Sequence, residues 1–254
     1  MSYRISDISK AALVRNSARR VSRIIVSTAS MYVLTHLVAF AMLPAGIVLS
    51  YRNPVGLAKL KTRFAGMLFR VIGKRVEISG IQHTEKESGY VIVCNYPSFY
   101  VLFALMGLFP NASFVAHRSL RRVPLLGWML SRSGTIFVDP KQPRATRRAM
   151  DAALASCGTR SVVIMPESRR TPDGEIHGLR RGFTYLLKHS SLDLLPVTAN
   201  GFYTLKPANR LYLDPDAQPT LVIHSPVPNA EARILGNIEL VRRTESIIRS
   251  AYRP

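Results

Sequence analysis

The chain has 254 residues, of which 35 are lysine or arginine and 15 are aspartate or glutamate, so its net charge is +20 and its isoelectric point is near 10.8. An apolar content of 47% is enough for a packed core in one large domain or two small ones, and it excludes a mainly disordered chain. The two cysteines exclude a disulfide framework, and neither lies in a metal-binding motif. We therefore expect no metal and no cofactor.

The positive charge lies in two blocks. Residues 1–76 hold 13 basic side chains and one acidic one, residues 117–181 hold 13 and five, and the remainder is neutral. Such a distribution favours an anionic partner: a nucleic acid, a membrane surface or a phosphorylated small molecule. Because neither zinc-finger spacing nor an RNA-binding motif accompanies the charge, we expect no nucleic-acid partner.

The first basic block surrounds a long apolar segment. Residues 24–51 contain no charged side chain, and this stretch is longer than the roughly 20 residues that span a bilayer. Basic residues lie on both sides, so the positive-inside rule selects no orientation. Pro44 and Gly46 interrupt the segment, which is as compatible with a shallow hairpin as with a single span. The flanking basic residues are Arg15, Arg19, Arg20, Arg23, Arg52, Lys59, Lys61 and Arg63.

Apolar residues then recur at helical spacing over residues 57–71, with basic residues between them. This pattern predicts an amphipathic helix in the headgroup region of a membrane, with its apolar face toward lipid and its cations toward anionic headgroups. We therefore expect residues 1–74 to associate with an anionic membrane surface. Two alternatives are a cleavable signal peptide with an unusually long basic start and a buried helical hairpin of a soluble protein.

Short β-rich runs alternate with helical stretches from residue 75 onward. The predicted strands are residues 75–79, 90–94, 112–116, 135–138, 161–165, 194–198 and 220–224. The predicted helices include residues 143–156, 179–189 and 231–250. This alternation predicts an α/β domain over residues 75–254, with a mostly parallel or mixed central sheet flanked by helices and preceded by the membrane-associated helical segment. In such a fold, functional residues tend to follow the carboxyl ends of strands.

Four segments at predicted strand ends form an ordered set. They are Asn95-Tyr96-Pro97-Ser98 with Val101, residues 134–139, Pro166-Glu167-Ser168-Arg169-Arg170 with residues 174–182, and Pro196-Val197. Together they resemble the motifs of the glycerolipid acyltransferase family, which read NHxSxxD, GxIFIDR, FPEGTRS with GxLxxFKKG, and PV. The resemblance covers roughly residues 75 to 200, and the order of the motifs is more specific than any one of them.

The resemblance implies acyl transfer from a thioester, yet two key positions differ. In the family, a histidine removes the proton of the acceptor hydroxyl, and an aspartate five residues later orients that histidine. This chain has Tyr96 and Val101 at those positions. A phenol with a pKa of about 10 is mostly protonated at neutral pH, so we expect weak or lost activity. His117, where the family commonly has lysine, and His177 are candidate substitute bases, although a structural role is the simpler interpretation of each.

The phosphate-binding part of the motifs is better retained. The resemblance implies that Glu167 and Arg170 help bind the acceptor's glycerol phosphate, for which the planar arginine fork is well suited. Ser168 and Arg169 replace a glycine and a threonine, and Pro140 replaces an arginine next to Lys141. The candidate substrate-binding residues are Asn95, Ser98, Lys141, Glu167, Ser168, Arg169 and Arg170.

These observations predict a membrane-associated acyltransferase-like protein. Its expected acceptor is a lysophospholipid or a similar phosphorylated lipid, and its expected donor is a thioester of acyl carrier protein or coenzyme A. We expect the α/β domain to lie on the cytoplasmic side of the membrane. The alternative is a non-catalytic lipid-binding or regulatory protein that uses the same cleft.

Overall fold

The computed structural model describes residues 3–84, 89–123, 126–132, 134–139, 141–158 and 160–253. Pro140 lies outside these residues. The strands are β1 (Glu77–Ser79), β2 (Tyr90–Cys94), β3 (Ser113–His117), β4 (Ile136–Val138), β5 (Val162–Ile164), β6 (Asp193–Asn200) and β7 (Thr220–Ile223). The helices are α1 (Tyr3–Arg52), α2 (Pro54–Val71), α3 (Tyr100–Leu108), α4 (Leu126–Arg132), α5 (Pro143–Cys157), α6 (Gly182–Lys188), α7 (Phe202–Leu205), α8 (Asn229–Ile234) and α9 (Asn237–Ser250).

The described strands form one sheet in the order β1-β7-β6-β2-β5-β3-β4. Their pairings are parallel except for β6 with β7, which is antiparallel. The prediction of a mixed central sheet is therefore confirmed. Because β2, β5, β3 and β4 run parallel, the segments that follow them emerge at one edge of the sheet, where the sequence motifs are expected to meet.

Helices cover both faces of the sheet. Successive residues of a strand point to opposite faces, and β2 follows this rule: Ile92 belongs to the core shared with α2, α3 and α7, whereas Val93 belongs to the core shared with α6 and α9. All five residues of β2 are buried, as expected for a central strand with a continuous apolar run. The central strands therefore give the loops at the motif edge a rigid base.

The C-terminal helix differs from its prediction. Residues 231–250 were expected to form one amphipathic helix, but the chain forms α8 and α9 with a break at Leu235 and Gly236. Both residues have extended backbone, with ψ angles of 139° and 151°. Gly236 lacks a Cβ and has the least helix preference of these residues, so the break falls where continuing the helix is least favourable.

The N-terminal region is a pair of packed antiparallel helices. Of the two alternatives left open at Pro44 and Gly46, the structure has a continuous helix, because α1 continues through Pro44. The chain instead reverses at Asn53, whose side chain accepts the Gly56 N–H at 2.8 Å and caps α2. Gly46 then packs against Leu60, because a side chain at position 46 would meet it at 3.5 Å.

The apolar face of α2 packs on the α/β domain. Leu57, Ala65, Leu68 and Phe69 are buried, and the latter two belong to the same core as Ile92 of β2. The prediction that this face lies against lipid is therefore wrong, because α3 supplies the apolar surface that covers it. The domain boundary at residue 74 stays a prediction.

Helix α1 contains one segment, Ser17–Met42, that is long and apolar enough to cross a membrane, with a mean hydropathy of 1.8. Part of this segment packs against the loop that precedes β7. Arg20 pairs with Asp214 at 3.4 Å and Arg23 pairs with Asp216 at 3.4 Å. Leu213 N–H donates to the Thr28 hydroxyl at 3.0 Å. Two of the arginines that flank the apolar segment therefore contribute to holding α1 on the domain.

Candidate active site

Asn95 fixes the turn that follows β2. Its side-chain amide donates to the Ala199 carbonyl at 3.0 Å, and its side-chain oxygen accepts the Ala199 N–H at 2.7 Å. The residue is 1% exposed. These bonds connect the end of β2 to β6 and occupy both polar atoms of the side chain. Asn95 therefore holds the turn in place and leaves little of its side chain for a ligand.

Glu167 joins the first and third motifs. The two segments follow neighbouring parallel strands, in which Val93 pairs with Ile164. The Tyr96 N–H donates to Glu167 Oε1 at 2.7 Å, and the backbone N–H of His177 also donates to this carboxylate. Burial raises the pKa of Glu167, and these hydrogen bonds oppose the rise. Its carboxylate therefore positions the turn at Tyr96.

Tyr96 and Val101 occupy environments unsuited to proton transfer. Burial raises the pKa of Tyr96 to about 12, against the opposing effect of the nearby Arg170 cation. A phenol with this pKa is protonated at neutral pH and accepts a proton poorly. Val101 is completely buried in the apolar core at the start of α3. The arrangement therefore lacks a base at the position where the family motif has histidine.

Ser168 lies in the left-handed region of backbone conformation, with φ at 63°. It is the residue that replaces the glycine of the FPEGTRS motif, and it is the one non-glycine residue with positive φ among those described. Glycine adopts this conformation without the steric cost that a Cβ brings. The turn of the third motif is thus kept despite the substitution.

Arg170 lies beside Tyr96 with its guanidinium available. The Thr171 N–H donates to the Tyr96 carbonyl at 3.2 Å, so the backbone holds Arg170 next to the first motif. Arg169 and Arg170 are both exposed. No carboxylate of the described residues forms an ion pair with Arg170. An exposed, unpaired arginine can bind a phosphate with two parallel hydrogen bonds.

Lys206 lies at the same turn, and sequence reasoning missed it. The buried Ser98 hydroxyl donates to the Lys206 carbonyl at 2.7 Å. Burial lowers the pKa of Lys206, and the Arg170 cation lowers it further. No motif pattern marks this lysine, because it follows the fourth motif by several residues and reaches the site through the fold alone.

His117 and Lys141 lie toward the other end of the edge. Strand β5 separates β3 from β2, so His117 is about 10 Å from the first motif, at roughly 4.8 Å for each strand spacing. Its Nδ1 accepts the Ser119 N–H at 3.2 Å, which places the proton of a neutral ring on Nε2. The Lys141 N–H donates to Asp139, which also pairs with Arg118 at 3.2 Å. This geometry disfavours His117 as a substitute base.

His177 is held within the loop of the third motif. Its Nε2 lies 2.8 Å from Asp173 Oδ1, which also accepts the Thr171 hydroxyl at 2.7 Å and the Glu175 N–H at 3.0 Å. These hydrogen bonds, led by that of Thr171, hold the pKa of Asp173 at about 2. Such a set of bonds is typical of a side chain that shapes a loop, so a structural role fits His177.

The comparisons with known proteins agree with this arrangement. The Acyltransferase family profile matches residues 75–200, about half of the chain. A 1-acyl-sn-glycerol-3-phosphate acyltransferase of Pseudomonas aeruginosa is 33% identical over 141 residues, which are 54% of each protein. The protein of the same name from Saccharomyces cerevisiae is 26% identical over 140 residues, which are 53% of this chain and 46% of the yeast protein. The chain thus spans about half the length of these relatives.

A solved structure resembles the whole fold. The crystal structure of the 1-acyl-sn-glycerophosphate acyltransferase from Thermotoga maritima superposes with a TM-score of 0.80 at 21% identity, over 91% of this chain and 95% of that one. At this identity the likeness shows the fold alone. The matched motifs, their meeting at one sheet edge and the several similar proteins of one name together identify the chain as a member of the glycerolipid acyltransferase family.

Proposed function

We propose that this protein binds a lysophospholipid-type acceptor with a terminal phosphate, such as lysophosphatidic acid, at the adjoining turns that carry Tyr96, Glu167 and Arg170. The bond between the Tyr96 N–H and Glu167 carries the proposal, because it brings the first and third motifs together beside the unpaired Arg170 guanidinium. The names of the similar proteins supply the substrate class. The proposed donor is an acyl thioester of acyl carrier protein or coenzyme A.

Acyl transfer at these turns is proposed to be slow or absent. Attack of an acceptor hydroxyl on a thioester needs a group that removes the hydroxyl proton, and such a base typically contributes about 100- to 10,000-fold in rate. Tyr96, with a pKa near 12, is a poor base, and the buried Val101 cannot orient one. Binding without turnover would make the protein a non-catalytic lipid-binding or regulatory member of the family.

The test restores the missing pair. Purified wild-type protein and the Tyr96→His, Val101→Asp double variant are assayed with lysophosphatidic acid and each thioester. We expect the wild type to bind the lipid and the double variant to gain about 100-fold or more in rate. The Tyr96→His, Val101→Asn variant is the matched control, since it lacks the carboxylate that would orient the histidine and stabilise its protonated form. Rapid turnover by the wild type would contradict the account of the site, and failure to bind the lipid would contradict the proposed function.

The outer face of α1 is proposed to lie in the plane of the membrane surface. It exposes Val33, Leu37 and Phe40, while the opposite side packs on the domain through Arg20 and Thr28. A transmembrane position would carry the neighbouring charged loop into hydrocarbon, at a cost of several kcal/mol for each charge. An interfacial helix keeps that loop in water and buries only the apolar side.

Liposome flotation tests this surface. Changing Leu37 and Phe40 to aspartate should abolish binding to vesicles of phosphatidylglycerol and phosphatidylcholine, because both side chains are exposed and apolar. Ile234, which is 86% exposed on α8, provides the matched control. The Ile234→Asp variant should float as the wild type does. If the Leu37 and Phe40 variant floats as the wild type does, this face is not the membrane-binding surface.

A further inference from the structure

Two cations, Arg170 and Lys206, lie on segments that are far apart in the chain and both bonded to the turn after β2. Arg170 follows β5 and Lys206 follows α7. The Thr171 N–H donates to the Tyr96 carbonyl at 3.2 Å, and the Ser98 hydroxyl donates to the Lys206 carbonyl at 2.7 Å. The two segments therefore approach the same short turn from two sides.

A third contact joins the two segments directly. The Tyr203 hydroxyl, in α7, donates to the Pro172 carbonyl at 2.9 Å. The Tyr203 ring also packs against Gly174, where a Cβ would meet the ring at 3.0 Å. The loop that carries Arg170 and the loop that carries Lys206 are thus in direct contact through Tyr203. This arrangement limits how far the two positive groups can separate.

The charges themselves repel each other. The Arg170 cation lowers the pKa of Lys206, as does burial, so the two groups are close enough to interact. The Lys206 ammonium donates to the carbonyls of Pro207 and Arg210, which are neutral acceptors. No described carboxylate pairs with either cation. Two cations held together without a counter-ion favour an anion that contacts both.

We propose that Lys206 binds the acceptor's phosphate together with Arg170 and determines preference for phosphorylated over neutral lipid; this inference rests on the proposed function. Arginine supplies a planar pair of donors and lysine a compact point charge, so the two bind different oxygens of one phosphate. Position 206 lies outside residues 75–200 that match the family profile.

The test compares two lipids that differ only in the phosphate. Affinities for lysophosphatidic acid and for the monoacylglycerol with the same chain are measured in detergent for the wild type, Lys206→Gln and Lys206→Arg. We expect Lys206→Gln to lose about 10- to 100-fold in affinity for lysophosphatidic acid, the range for a charge-assisted hydrogen bond, and to keep its affinity for monoacylglycerol. Lys206→Arg should stay within a few-fold of the wild type.

The controls separate three explanations. Lys188→Gln removes a lysine from α6, on the opposite face of the sheet, and should leave both affinities unchanged. Equal affinity of Lys206→Gln and Lys188→Gln for lysophosphatidic acid would overturn the inference while leaving the proposed function intact. An equal loss of affinity for both lipids in Lys206→Gln would also overturn the inference, because such a loss would indicate that the loop had changed its structure. Failure of the wild type to bind lysophosphatidic acid would contradict the proposed function itself.

A double-mutant cycle with Arg170→Gln adds a measure of coupling. If both cations contact one phosphate, the loss of affinity in the double variant should be smaller than the product of the two single losses, since the phosphate is already misplaced when either contact is absent. Multiplicative losses would show that the residues bind independent groups and would contradict a shared site.

Discussion

The turns that follow β2 and β5 lie side by side, and the resemblance to the family motifs predicts a different departure in each. The turn after β2 keeps its supporting residues, Asn95 and Ser98, but has Tyr96 and Val101 where the motif has its reactive pair. The turn after β5 keeps its polar Glu167 and Arg170 but has Ser168 where the backbone favours glycine. The residues that hold the two turns are therefore distinct from the residues at the two predicted reactive positions.

The difference has a physical basis. Asn95 and Glu167 satisfy buried backbone groups, and removing such a partner costs free energy of folding. A general base contributes to a transition state and not to folding, so its replacement by a neutral side chain can leave the fold intact. The comparison predicts that variants of the supporting residues change stability, whereas variants at position 96 leave it unchanged.

The largest expected effect is that of Asn95→Leu. This change leaves the N–H and the carbonyl of Ala199 without their partner in a buried strand, at about 1–3 kcal/mol for each group. We expect the free energy of unfolding in urea to fall by about 2–6 kcal/mol. The exposed Asn111 gives the control, because Asn111→Leu should change little. A stable Asn95→Leu variant would show that the turn does not depend on β6.

Ser168→Gly should stabilise the protein by about 1 kcal/mol, since it removes the strain of a Cβ at positive φ. Thermal unfolding followed by circular dichroism measures the gain. Ser79→Gly, in the exposed strand β1, should instead lower stability, because glycine is entropically costly in a strand. Equal effects of the two changes would mean that the turn after β5 carries no strain.

Glu167→Gln should change how the free energy of unfolding depends on pH. It should change the free energy of unfolding at low pH much less. The folded-state pKa of Glu167 is raised above the ordinary value of 4.5. Between the unfolded and the folded pKa, the folded state therefore keeps a proton that the unfolded state has already lost. This group therefore stabilises the fold below its unfolded pKa, and the contribution is lost as pH rises through the folded pKa. Glutamine keeps the oxygen that accepts the Tyr96 N–H but does not titrate.

Urea unfolding at a series of pH values measures this difference. The stability of Glu167→Gln relative to the wild type should increase as the pH rises past 4.5 toward neutrality. Glu175→Gln, at an exposed position two residues from Asp173, is the control and should run parallel to the wild type. If the difference in free energy of unfolding between Glu167→Gln and the wild type is the same at every pH, burial does not shift the pKa of the Glu167 carboxyl.

The smallest expected effect is that of Tyr96→Phe. Because the phenol is protonated at neutral pH, its loss should leave any residual acyl transfer within a few-fold of the wild type. His117→Ala should behave likewise, since the His117 ring is engaged with Ser119. A loss of 100-fold or more in either variant, typical of a removed base, would identify that residue as the proton acceptor.

Much of the fold follows from local patterns. The buried run of β2 and the alternation with helices predict a mixed sheet, because central strands need apolar side chains on both faces. The motif segments were predicted to follow strand ends, and the hydrogen bond from the Tyr96 N–H to Glu167 shows that two of these segments are in contact. The break at Gly236 and the burial of α2 were missed, because periodicity identifies an apolar face but not the surface that covers it.

The family and the mixed sheet were predictable from residue type, order and spacing, as were Tyr96 and Val101 at two motif positions. The pairing of Arg20 and Arg23 with the domain, the support of the turn by Asn95 and Glu167, and the position of Lys206 near Arg170 were not. Each of these contacts joins segments distant in the chain. Such contacts depend on how elements pack, which no local pattern of residues records.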